Sequence, residues 1–529
     1  MNPSLLNFLK NWKIAALLIL LSLIAIFING VGMTHFDIPL TPDEQEFIGV
    51  ARQIVFFDTI PYPVIRGYKF FTFSASLGLL NLIIPINIVL LTRILHALFL
   101  IGFIVGVYRL GTRHSKTFGI LLASFLAFYI LPKNNYDLPV NFSSFTPTLI
   151  IYAITPWFIK HVLEGKYKWI FFELILVGLI HVWFLGLFLM FFVLYKIFRK
   201  NIGWGLLCVG FCAGGALGAH SLLLQRFGPL LVFTPLPFSL DQITPFLWLG
   251  LIGVFILLIS GLQENFKRWR EFIIIGFVLM IPYVFLSLLL GETYGSYKAV
   301  FFLNLGFILW GTAGISLLIE KSKYRNWTLV FLFFSLAFLC QTGVKINMNS
   351  VNISPTSESE LQAFKWFNDH TNPKEIVLLS DLGTLITAHY YLPILNSPRI
   401  DEWIYNQSWM TNKEADSQDD LTSYYTFFTE KTFPNDSPYW LAQIGEQFQT
   451  QQIYLLLTPR SFQNFYYYQF DRNRLGGIMV DPLATYTFDG QYKFFENSSL
   501  FELAYSNENV FILKVNFPPV GRKNYFNIV

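Results

Sequence analysis

The chain has 529 residues, of which 54% are hydrophobic, 18% aromatic and only 13% charged. Such a composition, with a mean hydropathy of +0.50, excludes a soluble globular protein and a disordered one and leaves a membrane protein of several spans. The net charge of +4 is unevenly divided: residues 344–529 hold 13 Lys+Arg against 20 Asp+Glu, a net of −7, so residues 1–343 carry +11, clustered at the ends of apolar runs as membrane topology requires and a nucleic-acid surface does not.

The first apolar run follows Lys10 and Lys13 and has no small-residue cleavage site after it, so it reads as a retained span and not as a cleaved signal peptide. A helix crosses the hydrocarbon core with roughly 20 apolar residues, fewer where neighbours shield it. On that measure spans are expected near 13–30, 86–108, 117–132, 144–163, 169–183, 184–198, 202–224, 244–261, 271–290, 299–319 and 326–343. The stretch 169–198 is too long for one crossing and is divided at His181-Val182-Trp183, where His181 reads as a packed, hydrogen-bonded residue. Glu173, near the end of its span, reads as solvated. The segment 67–85 reads as a helix lying in the outer interface or re-entrant there. Cys208, Cys212 and Cys340 all fall in apolar runs and read as packing residues, with neither a disulfide framework nor a metal spacing.

With the N-terminus in the cytoplasm, the groups Arg109/Arg113/Lys116, Lys160/Lys166/Lys168, Arg199/Lys200, Lys267/Arg268/Arg270 and Lys321/Lys323/Arg325 all fall inside. Eleven spans then place the tail outside. The expected architecture is an α-helical polytopic membrane domain over 1–343, with a first outer loop at 31–85, followed by a soluble extracytoplasmic α/β domain over 344–529. In that tail ESELQAFKWFNDHTNP reads as an amphipathic helix stopped by Asn-Pro, and EIVLLSD, QQIYLLLTP and NVFILKV read as strands. Neither a GxGxxG nor a P-loop motif occurs, and no internal repeat.

The first outer loop contains TPDEQEFIGVARQIVFFDTIPYP, residues 41–63, where Asp43, Glu44 and Glu46 gather in a chain otherwise poor in charge. Pro42 opens a helix, and the acids in its first turn suit the helix dipole. Phe47, Val50, Ala51, Ile54 and Val55 recur at helical spacing, so 42–57 is expected to be an amphipathic helix lying on the membrane.

Asp43-Glu44, then Phe47, Ala51-Arg52 and Pro61, placed just after the first span, resemble the first outer loop of GT-C-class polyprenyl-phosphate glycosyltransferases, of the protein O-mannosyltransferase and lipid A aminoarabinose transferase type. That loop continues in the family to a Lys before two prolines; here Lys69 in RGYKFF offers the charge and the prolines are missing. LLTRILHALFLIGFIVGVYRLGTR, with Arg93 near its start, resembles the family's second span. Asp137 in ILPKNNYDLPV matches an acid of its second outer loop, and the tail is similar to domains that end many members. The resemblance implies transfer of a sugar from a polyprenyl-phosphate donor, with inversion, to a lipid, glycan or protein acceptor at the outer face of the cell membrane.

Such a transfer needs a base for the acceptor hydroxyl and cations for the departing phosphate. Asp43 is the candidate base, with Glu44 tuning it and Asp137 as a further acid. Lys298 and Tyr297 in GETYGSYKAVFFLN, where an outer loop meets the tenth span, are placed to hold the lipid phosphate; Lys69, Arg52 and Arg93 complete the expected substrate-binding set. Asp37, Asp43, Glu44 and Asp137 could converge on a divalent cation, but their spacing does not demand one. The competing classes are a surface-polysaccharide ligase or polymerase, a lipid-linked sugar flippase and a non-catalytic scaffold. The outer loop 225–243 has only Arg226 where a ligase or polymerase carries an Arg/His-rich loop, and no repeated halves mark a transporter.

Overall fold

The computed structural model describes residues 3–29, 42–55, 71–128, 145–199, 244–259, 262–290, 294–323, 328, 330, 356–380, 382–394, 397, 452–458, 501–507 and 510–516. They divide into two compact units. One comprises residues 1–41 and 86–353; the other joins residues 42–85 to 354–529.

The first unit is all helix: α1 (Pro3–Asn29), α4 (Ile88–Thr112), α5 (Lys116–Ala127), α6 (Pro147–Glu164), α7 (Tyr167–Ile180), α8 (Val182–Phe198), α9 (Thr244–Ile259), α10 (Leu262–Leu290) and α11 (Tyr294–Lys321). Of these, Ile88–Thr112 and Ala299–Lys321 are long and apolar enough to cross a membrane unaided. Several helices overrun the apolar windows that predicted them. α10 starts nine residues before 271, running through ENFKRWRE, and α1 starts at Pro3. The i→i−4 hydrogen bonds of a helix do not stop where the hydrocarbon stops, so hydropathy marks the apolar stretch and not the helix. The expected spans at 202–224 and 326–343 lie outside the described residues, apart from 328 and 330.

Local sequence sets the ends. The Asn87 side chain caps α4, accepting from Val89 N at 2.8 Å. Thr146 and Pro147 start α6, and Gly165, at φ 66°, ends it in the left-handed conformation that favours glycine. The break between α7 and α8 falls at His181, which is extended at φ −161° and ψ 107°.

Packing fixes the helix directions. α10 and α11 run antiparallel: Trp310 Nε1 donates to Ile273 O at 3.1 Å, and Met280 packs with Leu303 and Phe307. α4 and α6 run parallel, with Phe99 beside Phe145 and Trp157 Nε1 donating to Gly102 O at 3.0 Å. Close approach of α9 and α11 needs Gly314, where a Cβ would stand 2.5 Å from Gly253 O. Glu271 near the start of α10 pairs with Arg113 at the end of α4 (3.9 Å) and with Arg199 just past α8. Lys196 of α8 donates to the hydroxyl of Tyr167 at the start of α7 (2.8 Å). The α4–α5 and α6–α7 connections, the end of α8 and the start of α10 therefore meet at one basic end of the unit.

The second unit contains α2 (Pro42–Val55), α3 (Phe71–Ile83), α12 (Glu358–His370), β1 (Val377–Leu379), α13 (Leu382–Tyr391), β2 (Ile453–Leu457), β3 (Phe501–Asn507) and β4 (Val510–Val515). The sheet order is β1-β2-β4-β3, with β1 parallel to β2 and the other pairs antiparallel. A capping box starts α12: Ser357 Oγ accepts from Glu360 N, and the Glu360 carboxylate accepts from Ser357 N at 2.7 Å. Phe364 and Phe367 of α12 meet Leu385 and Ala388 of α13 and Leu378, Leu456 and Ile512 of the sheet in one apolar core.

The acidic loop helix differs from the expectation in what covers it. Glu44, Phe47, Ile48, Val50, Ala51 and Gln53 are all buried, packed against α3 and α13. Protein, not lipid, takes its apolar face. α3, in contrast, turns Phe73 and Leu77 inward and leaves Leu79, Leu82 and Ile83 exposed, as an interfacial helix would.

Candidate functional site

Helix direction places the candidate residues of the first unit. Arg113 closes α4 at the basic end, so Arg93, twenty residues earlier, lies about 30 Å away at the opposite end. The starts of α6 and α11 and the break at His181 fall at that same end. Tyr297 and Lys298 lie in the first turns of α11 there, with side chains outside the described residues.

Arg93 is buried, 2% exposed, in a helix of otherwise apolar sequence. A guanidinium buried in an apolar helix needs compensation, and in a membrane span such a residue is a candidate functional position. His96, three residues on and therefore on the same helix face, is fully buried as well. Sequence reasoning passed over His96; its spacing from Arg93 in TRILH was the signal. Asn304, buried one turn and a half beyond Lys298, was also missed.

An aromatic column joins three helices at this end. Tyr152 of α6 stacks on Phe301 of α11 with centroids 3.8 Å apart and meets Phe184 of α8 edge-on at 5.8 Å. His181 meets Phe184 edge-on at 5.0 Å. Phe301 lies one helical turn after Lys298, so this column braces the helix start that carries the candidate phosphate ligand. His181 is packed and buried, as its sequence context indicated.

Glu173 corrects a reading. It is buried, 6% exposed, and its Oε1 lies 2.9 Å from His161 Nδ1. The chain doubles back at Gly165, so α6 and α7 pack side by side and cover a carboxylate that hydropathy would leave in water. Together with Lys160–Glu164 (3.3 Å) and Lys166–Glu164 (2.7 Å), this pair belongs to the basic end and has no part in the candidate site.

In the second unit Asp43 and Glu44 open α2. Glu44 is buried, 1% exposed, whereas the side chain of Asp43 lies outside the described residues. Arg52 places its guanidinium 4.5 Å from the centroid of the Tyr390 ring. Lys69 and Asp137 lie outside the described residues. Among the described residues no group of three or more His, Cys, Asp or Glu could hold a metal ion; Asp37 is outside them, as is the side chain of Asp43.

No protein-family model matches the sequence, and no curated protein does. The fold has counterparts among solved structures. ArnT from Cupriavidus metallidurans in the apo state aligns with a TM-score of 0.53 at 11% identity, over 96% of this chain and 98% of that one. The chain has the GT-C fold. The mycobacterial arabinofuranosyltransferase AftD aligns with a TM-score of 0.54 at 11% identity, over 96% of this chain but only 40% of AftD. The helices of the first unit, two of them among the described residues long and apolar enough to cross a membrane, are in keeping with the membrane class that the composition indicates. At such identity the likeness lies in the fold and not in individual residues.

Proposed function

We propose that the protein is an integral-membrane glycosyltransferase that moves a sugar from a polyprenyl-phosphate carrier to an acceptor at the outer face of the cell membrane, with inversion. The observation that carries this reading is the GT-C fold along 96% of the chain, combined with an Asp-Glu pair directly after the first span. One of the proteins sharing the fold is an arabinofuranosyltransferase. The alternating helix directions and the single basic end support a cytoplasmic basic face and an outer location for residues 42–85 and 354–529. The exposed apolar face of α3 suits the outer interface.

In the reaction Asp43 accepts the proton of the acceptor hydroxyl as its oxygen attacks the anomeric carbon. The bond from that carbon to the phosphate oxygen breaks on the opposite face, and polyprenyl phosphate leaves with one more negative charge. Lys298, with Tyr297 beside it and Arg93 in the second span, meets that charge; a cation there stabilises the transition state more than the bound donor, because charge is still developing. Glu44, buried in the first turn of α2, orients Asp43 beside it. A base of this kind contributes about 10²–10⁴ in rate.

The test is Asp43→Asn in cells lacking the chromosomal copy, read by mass spectrometry of surface glycans and of lipid-linked sugars. The expected result is loss of one glycan modification and accumulation of its lipid-linked donor, with the variant still inserted in the membrane. Near-normal modification would remove Asp43 from the role and make Asp137 the acid to test.

A further inference from the structure

The acidic helix is seated on the C-terminal part of the chain, and the seat has a defined chemistry. Gln53, fully buried, lies ten residues after Asp43 on α2, about 15 Å along the helix axis. Its Nε2 donates to His389 O at 2.7 Å and to Leu392 O at 2.5 Å. His389 O is one of the last four carbonyls of α13, which have no partner within the helix, and Leu392 O, one residue past its end, also accepts from Ile394 N at 2.9 Å. An amide nitrogen has two hydrogens, and both are used.

Two neighbours on α2 complete the contact. A Cβ on Gly49 would stand 3.4 Å from Tyr390 N, so the backbones of α2 and α13 are in contact there without a side chain between them. Arg52 lies over the Tyr390 ring, its positive charge at the negative end of the α13 dipole. On the other side Phe47 meets Phe73 of α3 edge-on at 5.4 Å, and Gly78 of α3 lies beneath Ala51 O. α2 is thereby held on two sides and by hydrogen bonds that define its rotation as well as its position. An apolar contact alone would let it slide.

We propose that Gln53 is a positioning residue for transfer and that the C-terminal segment, through α13, acts as the jig that orients the acidic turn of α2. This rests on the reading of Asp43 as the base. A misplacement of about 1 Å at a reacting group costs on the order of 10²-fold in rate. Removing the Gln53 hydrogen bonds should lower turnover while leaving the donor's affinity to residues of the first unit.

The experiment uses the full chain in membranes from cells lacking the native copy, which supply the acceptor. The probe is the total lipid extract of those same cells, titrated, with release of free polyprenyl phosphate measured by mass spectrometry. Gln53→Leu, of similar size and without the donors, should lose about 10- to 100-fold in kcat with apparent KM for the extract within about twofold of the parent. A second pair of substitutions keeps the outcome separate from misfolding. The Cβ of a residue at 49 would lie 3.7 Å from His389 Cβ, within the range of a disulfide. With Cys208, Cys212 and Cys340 replaced by Ala, the set Gly49→Cys, His389→Cys and Gln53→Leu should recover turnover when oxidised and lose it again when reduced. Equal turnover of Gln53→Leu and parent, or a loss that the crosslink does not repair, overturns the positioning role. Asp43→Asn is measured alongside. If it is inactive while Gln53→Leu is normal, the base stands and the jig falls. If Asp43→Asn is active, or the parent releases no polyprenyl phosphate, both fall.

Discussion

His389 makes the stability of the second unit depend on pH in a direction and range that the structure sets. Its ring is buried, 1% exposed, with Nε2 2.8 Å from the hydroxyl of Ser397; among the described residues Nδ1 has no hydrogen-bond partner. Burial pushes its pKa down from 6.5 to about 4. Desolvation by burial is the cause of that shift. A depressed folded-state pKa means that protons bind the unfolded chain preferentially, so the full stability is present above pH 6.5 and is lost as pH falls from 6.5 towards about 4. The slope is about 1.4 kcal/mol for each pH unit, and the whole loss roughly 3 kcal/mol, a sizeable part of a small domain's stability. Because the His389 carbonyl is also a ligand of Gln53, the loss falls on the seat of α2. The assay is hydrogen exchange in purified full-length protein, corrected for intrinsic rates, on peptides covering 382–394 and 42–55 between pH 7.5 and 4.5. Protection should fall together in both segments below pH 6.5, and a His389→Asn variant should be less protected at pH 7.5 but show a flatter profile. A variant with the same pH dependence as the parent would refute the reasoning.

Lys298→Ala should raise the apparent KM for lipid-linked donor and lower kcat about 10- to 100-fold, with Lys298→Arg recovering part of both; unchanged kinetics in the Ala variant would make Lys298 an interfacial anchor only. A reporter fused after residue 350 should be active only outside the cytoplasm and one fused after residue 115 only inside, and a cytoplasmic signal from 350 would sink the outer placement of the acidic loop. Gly314→Val should cost about 1–3 kcal/mol and lower the melting temperature, since its Cβ would meet Gly253 O at 2.5 Å, whereas Gly186→Ala, with nothing within 4 Å of the added atom, should be neutral.

What was legible in the sequence was whatever one stretch of chain decides by itself. Long apolar runs gave the helices α4 to α11, and the charge change after residue 343 marked the start of a different composition. The runs EIVLLSD, QQIYLLLTP and NVFILKV contain β1, β2 and β4, all with buried apolar side chains. β3, FELAYSN, the outermost strand of the sheet among the described residues, was missed because exposed and half-buried residues mix along it. What was illegible is what meets what. The spacing of Phe47, Val50 and Ala51 says that α2 has a face to bury and cannot say whether lipid or protein buries it. Glu173 looks solvated until His161, twelve residues earlier, folds back beside it.

Gln53 shows where such reading runs out and why the consequence reaches function. In ARQIV it falls among residues that could equally line a helix's wet side, and an uncharged amide there attracts no notice. Its importance comes from two carbonyls more than 300 residues away, at and just past the end of α13, which no local pattern announces. The acids of the first loop could be found because acids are rare in this chain. What aims them could be found only in three dimensions, since orientation is a property of contacts between distant segments and not of composition. The acidic turn and the C-terminal segment therefore belong to one mechanical element, although nearly the whole of the membrane unit separates them in sequence.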